Sequence, residues 1–111
     1  LDHGRWSGRG FEAIMAEEPE ALAQWLADPA SGAPEGESMT AAKTRIGPWL
    51  DALAETDAPH TAITHPMMIR TALAHALGLS LAATLSIDIA PLSRTLLSFN
   101  RKWRLQALIP H

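Results

Sequence analysis

Several features that would settle a protein's class are missing from this sequence. It contains no cysteine, which excludes a disulfide framework and a thiolate metal site. No apolar stretch approaches the length of a membrane span, and no signal-peptide pattern opens the chain. The formal net charge is only -3, without a basic stripe or run, which disfavours electrostatic binding of nucleic acid. These absences predict a cytoplasmic protein whose partners include neither a membrane nor a nucleic acid.

The composition itself is that of a globular domain. Of the 111 residues, 47% are hydrophobic and 19% are charged, which favours one folded domain with a small core over disorder. The chain opens with Leu1 rather than methionine, and residues 1–10 resemble a glycine-containing loop from inside a domain. We therefore expect a piece of a longer chain. Within this loop, Trp6 is expected to pack on the domain.

The first half of the chain has the apolar spacing of helices. Residues 11–26 predict two short helices, or one helix that restarts with Pro19 in its first turn. Residues 30–36 form a Pro- and Gly-containing loop, after which Ser38 is a plausible N-cap. The helix that follows contains Gly47-Pro48 in its middle, where we expect a kink because proline removes a backbone hydrogen bond.

The most informative stretch runs from His60 to Leu79. Thr61–Thr64 is a short β-branched run that predicts a strand, His65 ends it, and a helical pattern follows Pro66 and stops at Gly78. Free backbone N–H groups and the positive end of the helix dipole meet at such a junction, which is a natural anion site. His65 is therefore a candidate for phosphate chemistry, although a histidine that only hydrogen-bonds a neighbouring loop is the more common case.

The last third of the chain predicts a β-hairpin. Residues 79–85 are an apolar connector with room for one helical turn, and residues 86–89 have the character of a brief extended piece. Two alternating runs, residues 95–99 and 103–109, then flank a polar turn at Asn100-Arg101. The order of elements predicts an α/β fold with a mixed sheet, in which the hairpin lies beside the strand that carries His65. Three strands are too few for a complete sandwich, so we expect further strands upstream.

With these residues laid out, the chain resembles the C-terminal half of a histidine phosphatase, the phosphoglycerate mutase-like superfamily. Four segments carry the resemblance in the family's order: Leu1–Gly8, Gly36-Glu37-Ser38, Ile63-Thr64-His65 with Ile69-Arg70, and Ile87–Thr95 with Trp103-Arg104-Leu105. The resemblance implies part of a three-layer α/β/α sandwich with a mixed sheet whose N-terminal strands are missing. Residues 1–111 would then be the C-terminal portion of a single domain.

The resemblance also implies a chemistry. In the family, the histidine of an Arg-His-Gly motif attacks phosphorus, a second histidine and arginines hold the phosphoryl oxygens, and an acidic residue protonates the leaving alcohol. His65 is similar to the second histidine, so it is the candidate catalytic residue. No Arg-His-Gly occurs in this sequence, and the family's acid falls just before the position matched by Leu1. These 111 residues alone are therefore not expected to turn over substrate.

Three further residues are candidates for substrate binding. Pro66 stands where many relatives have glycine and has no N–H to offer, so the N–H of Met67 is the expected phosphate contact. Glu37 either lines the mouth of the pocket or simply favours the start of a helix, where the dipole stabilises a carboxylate. Arg70 either reaches phosphate or pairs with a carboxylate such as Asp88, the latter being the more common case.

The functional prediction has two main forms. The leading one is a phosphomonoester hydrolase that acts on a small phosphorylated metabolite and uses no cofactor. The alternative is a truncated or degenerate member of the same fold that serves as a non-catalytic binding or dimerisation module, so a homodimer is an open expectation. A metal-dependent hydrolase is disfavoured, because the five histidines lack the spacing of metal ligands with carboxylates.

Overall fold

The computed structural model describes all residues from Leu1 to His111. It contains five α-helices, two 3-10 turns and two strands. In chain order they are a 3-10 turn Gly4–Trp6, α1 Phe11–Glu17, α2 Pro19–Ala27, a 3-10 turn Pro29–Ser31, α3 Met39–Ala54, α4 Pro66–Leu77, α5 Leu81–Thr84, β1 Arg94–Asn100 and β2 Lys102–Ile109.

The helices follow the local signals of the sequence. α2 restarts immediately after α1 with Pro19 in its first turn, which confirms the predicted interruption. Ser38 caps α3 as predicted, since its side chain accepts a hydrogen bond from the N–H of Ala41 at 3.0 Å. α3 runs on through Pro48 without ending there.

α4 also ends where its sequence predicts. Gly78 adopts the left-handed conformation with φ of 68°, and its N–H bonds to the carbonyl of Ala74. A glycine adopts this conformation without the steric strain that a Cβ would cause, so it ends the helix at little cost in free energy. α5 supplies the single helical turn expected between residues 79 and 85.

The predicted strand over Thr61–Thr64 is wrong. These residues and residues 86–89 belong to no strand, and residues 57–64 make no backbone–backbone hydrogen bond. Ile63 is 99% exposed. A β-branched run adopts strand geometry only where a second strand supplies hydrogen-bond partners, and no strand of this chain pairs with this segment.

The mixed sheet predicted around that strand does not form within residues 1–111, and a mixed sheet in a longer chain stays a prediction. The only sheet is two-stranded and antiparallel, formed by β1 and β2. The helices and this hairpin make a mixed α/β chain, and the three-layer sandwich stays a prediction for the complete domain.

The hairpin itself is confirmed. β1 pairs with β2 from Arg94↔Ile109 to Asn100↔Lys102, with a bulge between Leu96 and Leu97. The ring centroids of the cross-strand pair Phe99 and Trp103 lie 5.2 Å apart in an edge-to-face arrangement, which is a favourable aromatic contact.

Two apolar groups hold the chain together. Trp6 is buried as predicted, with Ile14, Leu22 and Ala33, and its ring meets that of Trp25 edge to face at 6.2 Å. The second group lies on α3 and α4, where the completely buried apolar side chains are Met39, Ala42, Leu73 and Ala74. This second group fixes the position of α4, and with it the position of His65.

Candidate functional site

The N-terminus of α4 is an uncapped helix end. His65 occupies the N-cap position in an extended conformation, and its side chain makes no capping hydrogen bond. α3 and α5, in contrast, are both capped by serine side chains. Pro66 has no N–H, and the N–H groups of Met67 and Met68 have no backbone partner. Two free donors and the positive end of the helix dipole therefore point out of this helix end.

A cavity of about 250 Å³ adjoins this helix end. Thr64, His65, Pro66 and Ile69 form one wall, and the loop of residues 89–93 forms the other. The polar groups on the cavity are the imidazole of His65 and the hydroxyls of Thr64 and Ser93. The His65 side chain is exposed, so its ring is available to a ligand from solvent.

Arg70 lies on α4 one turn beyond His65 and is engaged by the backbone. Its guanidinium donates two hydrogen bonds to the carbonyl of Ile87, from Nε at 3.3 Å and from Nη2 at 2.9 Å. The Nη1 atom lies 3.5 Å from the sulfur of Met67. The predicted pairing of Arg70 with Asp88 is wrong, because the neighbouring carbonyl takes the guanidinium. Arg70 thus ties α4 to the segment that leads into the second wall of the cavity.

Glu37 forms an ion pair with Arg45. Arg45 donates from Nε to one carboxylate oxygen at 2.9 Å and from Nη2 to the other at 2.8 Å, a bidentate arrangement. These hydrogen bonds hold the pKa of Glu37 below its ordinary value. Arg45 Nη2 also lies 3.9 Å from the sulfur of Met68, so the pair extends from the start of α3 to the first turn of α4.

The first two segments of the resemblance lie against each other. The N–H of Glu37 donates to the carbonyl of Asp2 at 2.7 Å. A Cβ added at Gly4 would clash with the carbonyl oxygen of Pro34, and one added at Gly36 would lie 2.5 Å from that of Asp2. Both positions require glycine because backbone approaches backbone too closely for a side chain.

α3 and α4 run in the same direction. Arg45 of α3 meets Met68 near the start of α4, and Asp51, further along α3, bonds to His75 near the end of α4. The N-termini of both helices therefore lie at the same end of the pair. Glu37 and Arg45 are brought toward the α4 N-terminus, whereas Arg70 is turned away to Ile87.

The other histidines are engaged elsewhere. The Nε2 atom of His75 lies 2.9 Å from the carboxylate of Asp51, and that of His60 lies 2.7 Å from the hydroxyl of Thr56. No group of three or more His, Asp or Glu side chains is arranged to hold a metal ion. His65 is thus the only histidine on the cavity at the α4 N-terminus.

Comparison with known proteins decides the family. The model of the histidine phosphatase superfamily, branch 1, matches residues 1–109, which is nearly the whole chain. The chain belongs to the histidine phosphatase superfamily. A search of curated proteins finds no match to it. No helix in the structure combines the length and the apolar character needed to cross a membrane.

Two of the segments that resemble the superfamily lie on the cavity. The segment Ile63-Thr64-His65, similar to the family's second-histidine motif, ends at the cavity. Residues 89–93, which fall within another segment of the resemblance, form the opposite wall. Two features were missed from the sequence, namely Arg45 as the partner of Glu37 and the role of residues 89–93 as a wall. The only available signal for Arg45 was an opposite charge eight residues beyond Glu37, on the far side of the Ser38 cap.

Proposed function

We propose that this chain supplies the second phosphate-pocket histidine, His65, of a phosphomonoester hydrolase of the histidine phosphatase type. The observation that supports the proposal most directly is the uncapped N-terminus of α4, where His65 lines a cavity and the N–H groups of Met67 and Met68 in the same helix turn have no backbone partner. The proposed substrate is a small phosphorylated metabolite. In the complete enzyme, these residues would belong to a three-layer α/β/α sandwich with a mixed sheet.

The roles follow from the donors present. The N–H groups of Met67 and Met68 would bind phosphoryl oxygens, and the imidazole of His65 would donate a hydrogen bond to an oxygen whose negative charge grows in the transition state. Glu37 would act on this group through Arg45. Arg70 would act by holding the carbonyl of Ile87, in the segment that leads into the cavity wall. This chain would therefore provide binding and electrostatic stabilisation.

The covalent step needs groups that these residues lack. In the proposed full-length enzyme, a histidine of an Arg-His-Gly segment attacks phosphorus, the ester oxygen leaves as an alcohol protonated by an acidic residue, and water then releases phosphate from the phosphohistidine. Since no Arg-His-Gly occurs here, residues 1–111 alone are expected to show no turnover. In a polypeptide that also carries that segment, His65→Ala should reduce turnover by several orders of magnitude, and near-normal turnover would refute the assigned role.

Phosphate binding can be tested on the chain itself. We expect inorganic phosphate to shift the amide resonances of Met67 and Met68 in ¹H–¹⁵N spectra, because those N–H groups are free. His65→Ala should weaken this binding about tenfold or more, the loss typical of a hydrogen bond to a charged group. His111→Ala, which removes a histidine outside the cavity, is the matched control. An unchanged titration in His65→Ala would contradict the proposal.

A non-catalytic binding module is the second candidate. The observation that favours it is a groove of about 530 Å³, walled by α3 and α4, by the hairpin and by residues of the segment 56–64. The intact mass of the native polypeptide, with its N-terminal sequence, separates the two functions. A product that contains Arg-His-Gly supports the hydrolase, and a product that begins near Leu1 supports the module.

A further inference from the structure

The two ends of the sequence carry opposite charge. Residues 89–111 contain no Asp or Glu, and their cations are Arg94, Arg101, Lys102 and Arg104. Residues 1–37 contain only Arg5 and Arg9 as cations, and their acidic residues are Asp2, Glu12, Glu17, Glu18, Glu20, Asp28, Glu35 and Glu37. The small net charge of -3 therefore conceals a strong asymmetry along the chain.

The hairpin presents its cations on one outer face and at its tip. Cross-strand partners share a face, so Arg104 stands beside Ser98, and Lys102 beside Asn100. Arg94 lies an even number of residues before Ser98 on β1 and shares this face, while Arg101 forms the turn. None of these cations has a salt bridge or a side-chain hydrogen bond within the chain. We call this surface the basic hairpin face.

The helical hairpin of α1 and α2 presents the opposite character. Arg5 and Arg9 already pair with Glu17 and Glu18, whereas Glu12 and Glu20 are exposed and unpaired. Two apolar side chains one helical turn apart on α1, Phe11 and Met15, are 52% and 50% exposed. We call this surface the acidic helical face. It joins unpaired carboxylates with apolar area, a combination suited to an interface.

The two faces lie in separate parts of an elongated molecule. The principal extents are 49 × 29 × 22 Å. The hairpin packs mainly on α4, whereas α2 packs on α1 and on the 3-10 turn Pro29–Ser31, which in turn contacts α3. The faces are therefore held apart by the α3–α4 pair, and neither can neutralise the other within one chain.

We propose that two copies of this chain associate antiparallel about a two-fold axis, with the basic hairpin face of each on the acidic helical face of the other. A two-fold arrangement forms the same contact twice and closes the assembly. It pairs cations that have no partner in the monomer with carboxylates that also have none, and it covers Phe11 and Met15. This interface is independent of the cavity at His65.

The first test is the mass of the particle in solution as salt is raised. Light scattering after size exclusion should give twice the monomer mass of 12.0 kDa at about 0.1 M salt. The dissociation constant should rise about tenfold or more toward about 1 M salt, as the Debye length falls from about 10 Å to about 3 Å. A monomer under all conditions, or a dimer indifferent to salt, would overturn the proposal.

The second test is a charge exchange between the two faces. Arg104→Glu should weaken the dimer about tenfold or more, whereas Lys43→Glu, an equal change of charge on α3, should not. The double variant Lys102→Glu/Arg104→Glu should be monomeric alone, and so should the double variant Glu12→Lys/Glu20→Lys. Mixed together, they should form a heterodimer, because the reversed faces are again complementary. Circular dichroism confirms that each variant is folded, and a mixture of folded variants that stays monomeric refutes the interface.

Discussion

At the scale of single residues, Glu18 connects the first third of the chain. It lies between α1 and α2 and accepts hydrogen bonds from Arg5 Nε and from the indole N–H of Trp6, both at 2.8 Å. Arg9 Nη1 lies 3.4 Å from the same carboxylate. The hydrogen bond from Arg5, followed by that from Trp6, holds the pKa of Glu18 below its ordinary value. One carboxylate thereby fixes the loop of residues 1–10 onto the two helices.

Replacing this carboxylate should remove a stabilisation that depends on pH. Because the pKa of Glu18 is lower in the folded than in the unfolded chain, its contribution is present above the unfolded pKa and is lost as pH falls through the folded pKa. Glu18→Gln should therefore lower the melting temperature at pH 7, and its difference from the wild type should shrink below about pH 4. Thermal melts between those values measure this. Glu55→Gln, which removes an exposed carboxylate without a salt bridge, is the control, and a difference that stays constant with pH would contradict the argument.

The sequence predicted the environment of individual residues better than their partners. The burial of Trp6 was predicted, because the large apolar surface of an indole favours packing on the domain. The partners of Arg5, Glu37 and Arg70 were not. Arg5 reaches across the α1–α2 junction, Glu37 bonds to a residue in the second turn of the next helix, and Arg70 bonds to a backbone carbonyl. Every residue has a backbone carbonyl, so no pattern of charged residues could have indicated that contact.

At the scale of elements, α3 and α4 meet where Gly47 leaves room for His75. A Cβ added at Gly47 would lie 2.9 Å from two atoms of the His75 ring. That ring bonds to Asp51 on the next turn of α3, and the indole N–H of Trp103 on β2 lies 3.4 Å from the same carboxylate. Because Gly47 has no side chain, the His75 ring can bond to Asp51, and α3, α4 and the hairpin all meet at this carboxylate.

A double-mutant cycle should reveal this steric requirement. In the wild type, Gly47→Ala displaces the His75 ring from Asp51, which offsets the better helix propensity of alanine. In a His75→Ala background the ring is absent, so Gly47→Ala should be more favourable by about 1 kcal/mol or more in the free energy of unfolding. The restriction that Pro48 places on residue 47 is the same in both backgrounds and cancels. Urea denaturation of the four proteins measures the difference, and equal effects in both backgrounds would refute the contact.

The elements also show which sequence signals suffice. The helices and the hairpin were predicted because caps, proline, glycine and alternation act between residues close in the chain. The strand over Thr61–Thr64 was wrong because strand formation depends on a partner, which local pattern does not specify. Even so, the end of that segment was placed correctly. His65 does stand at the N-terminus of a helix, since Pro66 and the apolar spacing after it fix where α4 begins.

At the scale of the whole molecule, the candidate site joins parts distant in sequence. The α4 N-terminus and the loop of residues 89–93 form the cavity, and Arg45 of the Glu37–Arg45 pair contacts Met68 in the first turn of α4. From the sequence, each of these segments could be identified separately by its resemblance to the family. The shape of the cavity depends on tertiary contacts such as that of Arg70 with Ile87, which only the structure shows.

Hydrogen exchange should distinguish the segment that leads to His65 from the rest of the molecule. The amides of residues 61–64 have no backbone partner, so in the isolated chain they should exchange as fast as those of an unstructured peptide. The amides of Leu73 and Ala74 lie in α4 and belong to completely buried residues, so they should exchange only through larger opening. Mass spectrometry of overlapping peptides measures both in one experiment, with α4 as the internal control. Protection of residues 61–64 in the isolated chain would show that they already pair, whereas protection that develops only in a longer polypeptide would show that a strand from outside these residues pairs with the segment that positions His65.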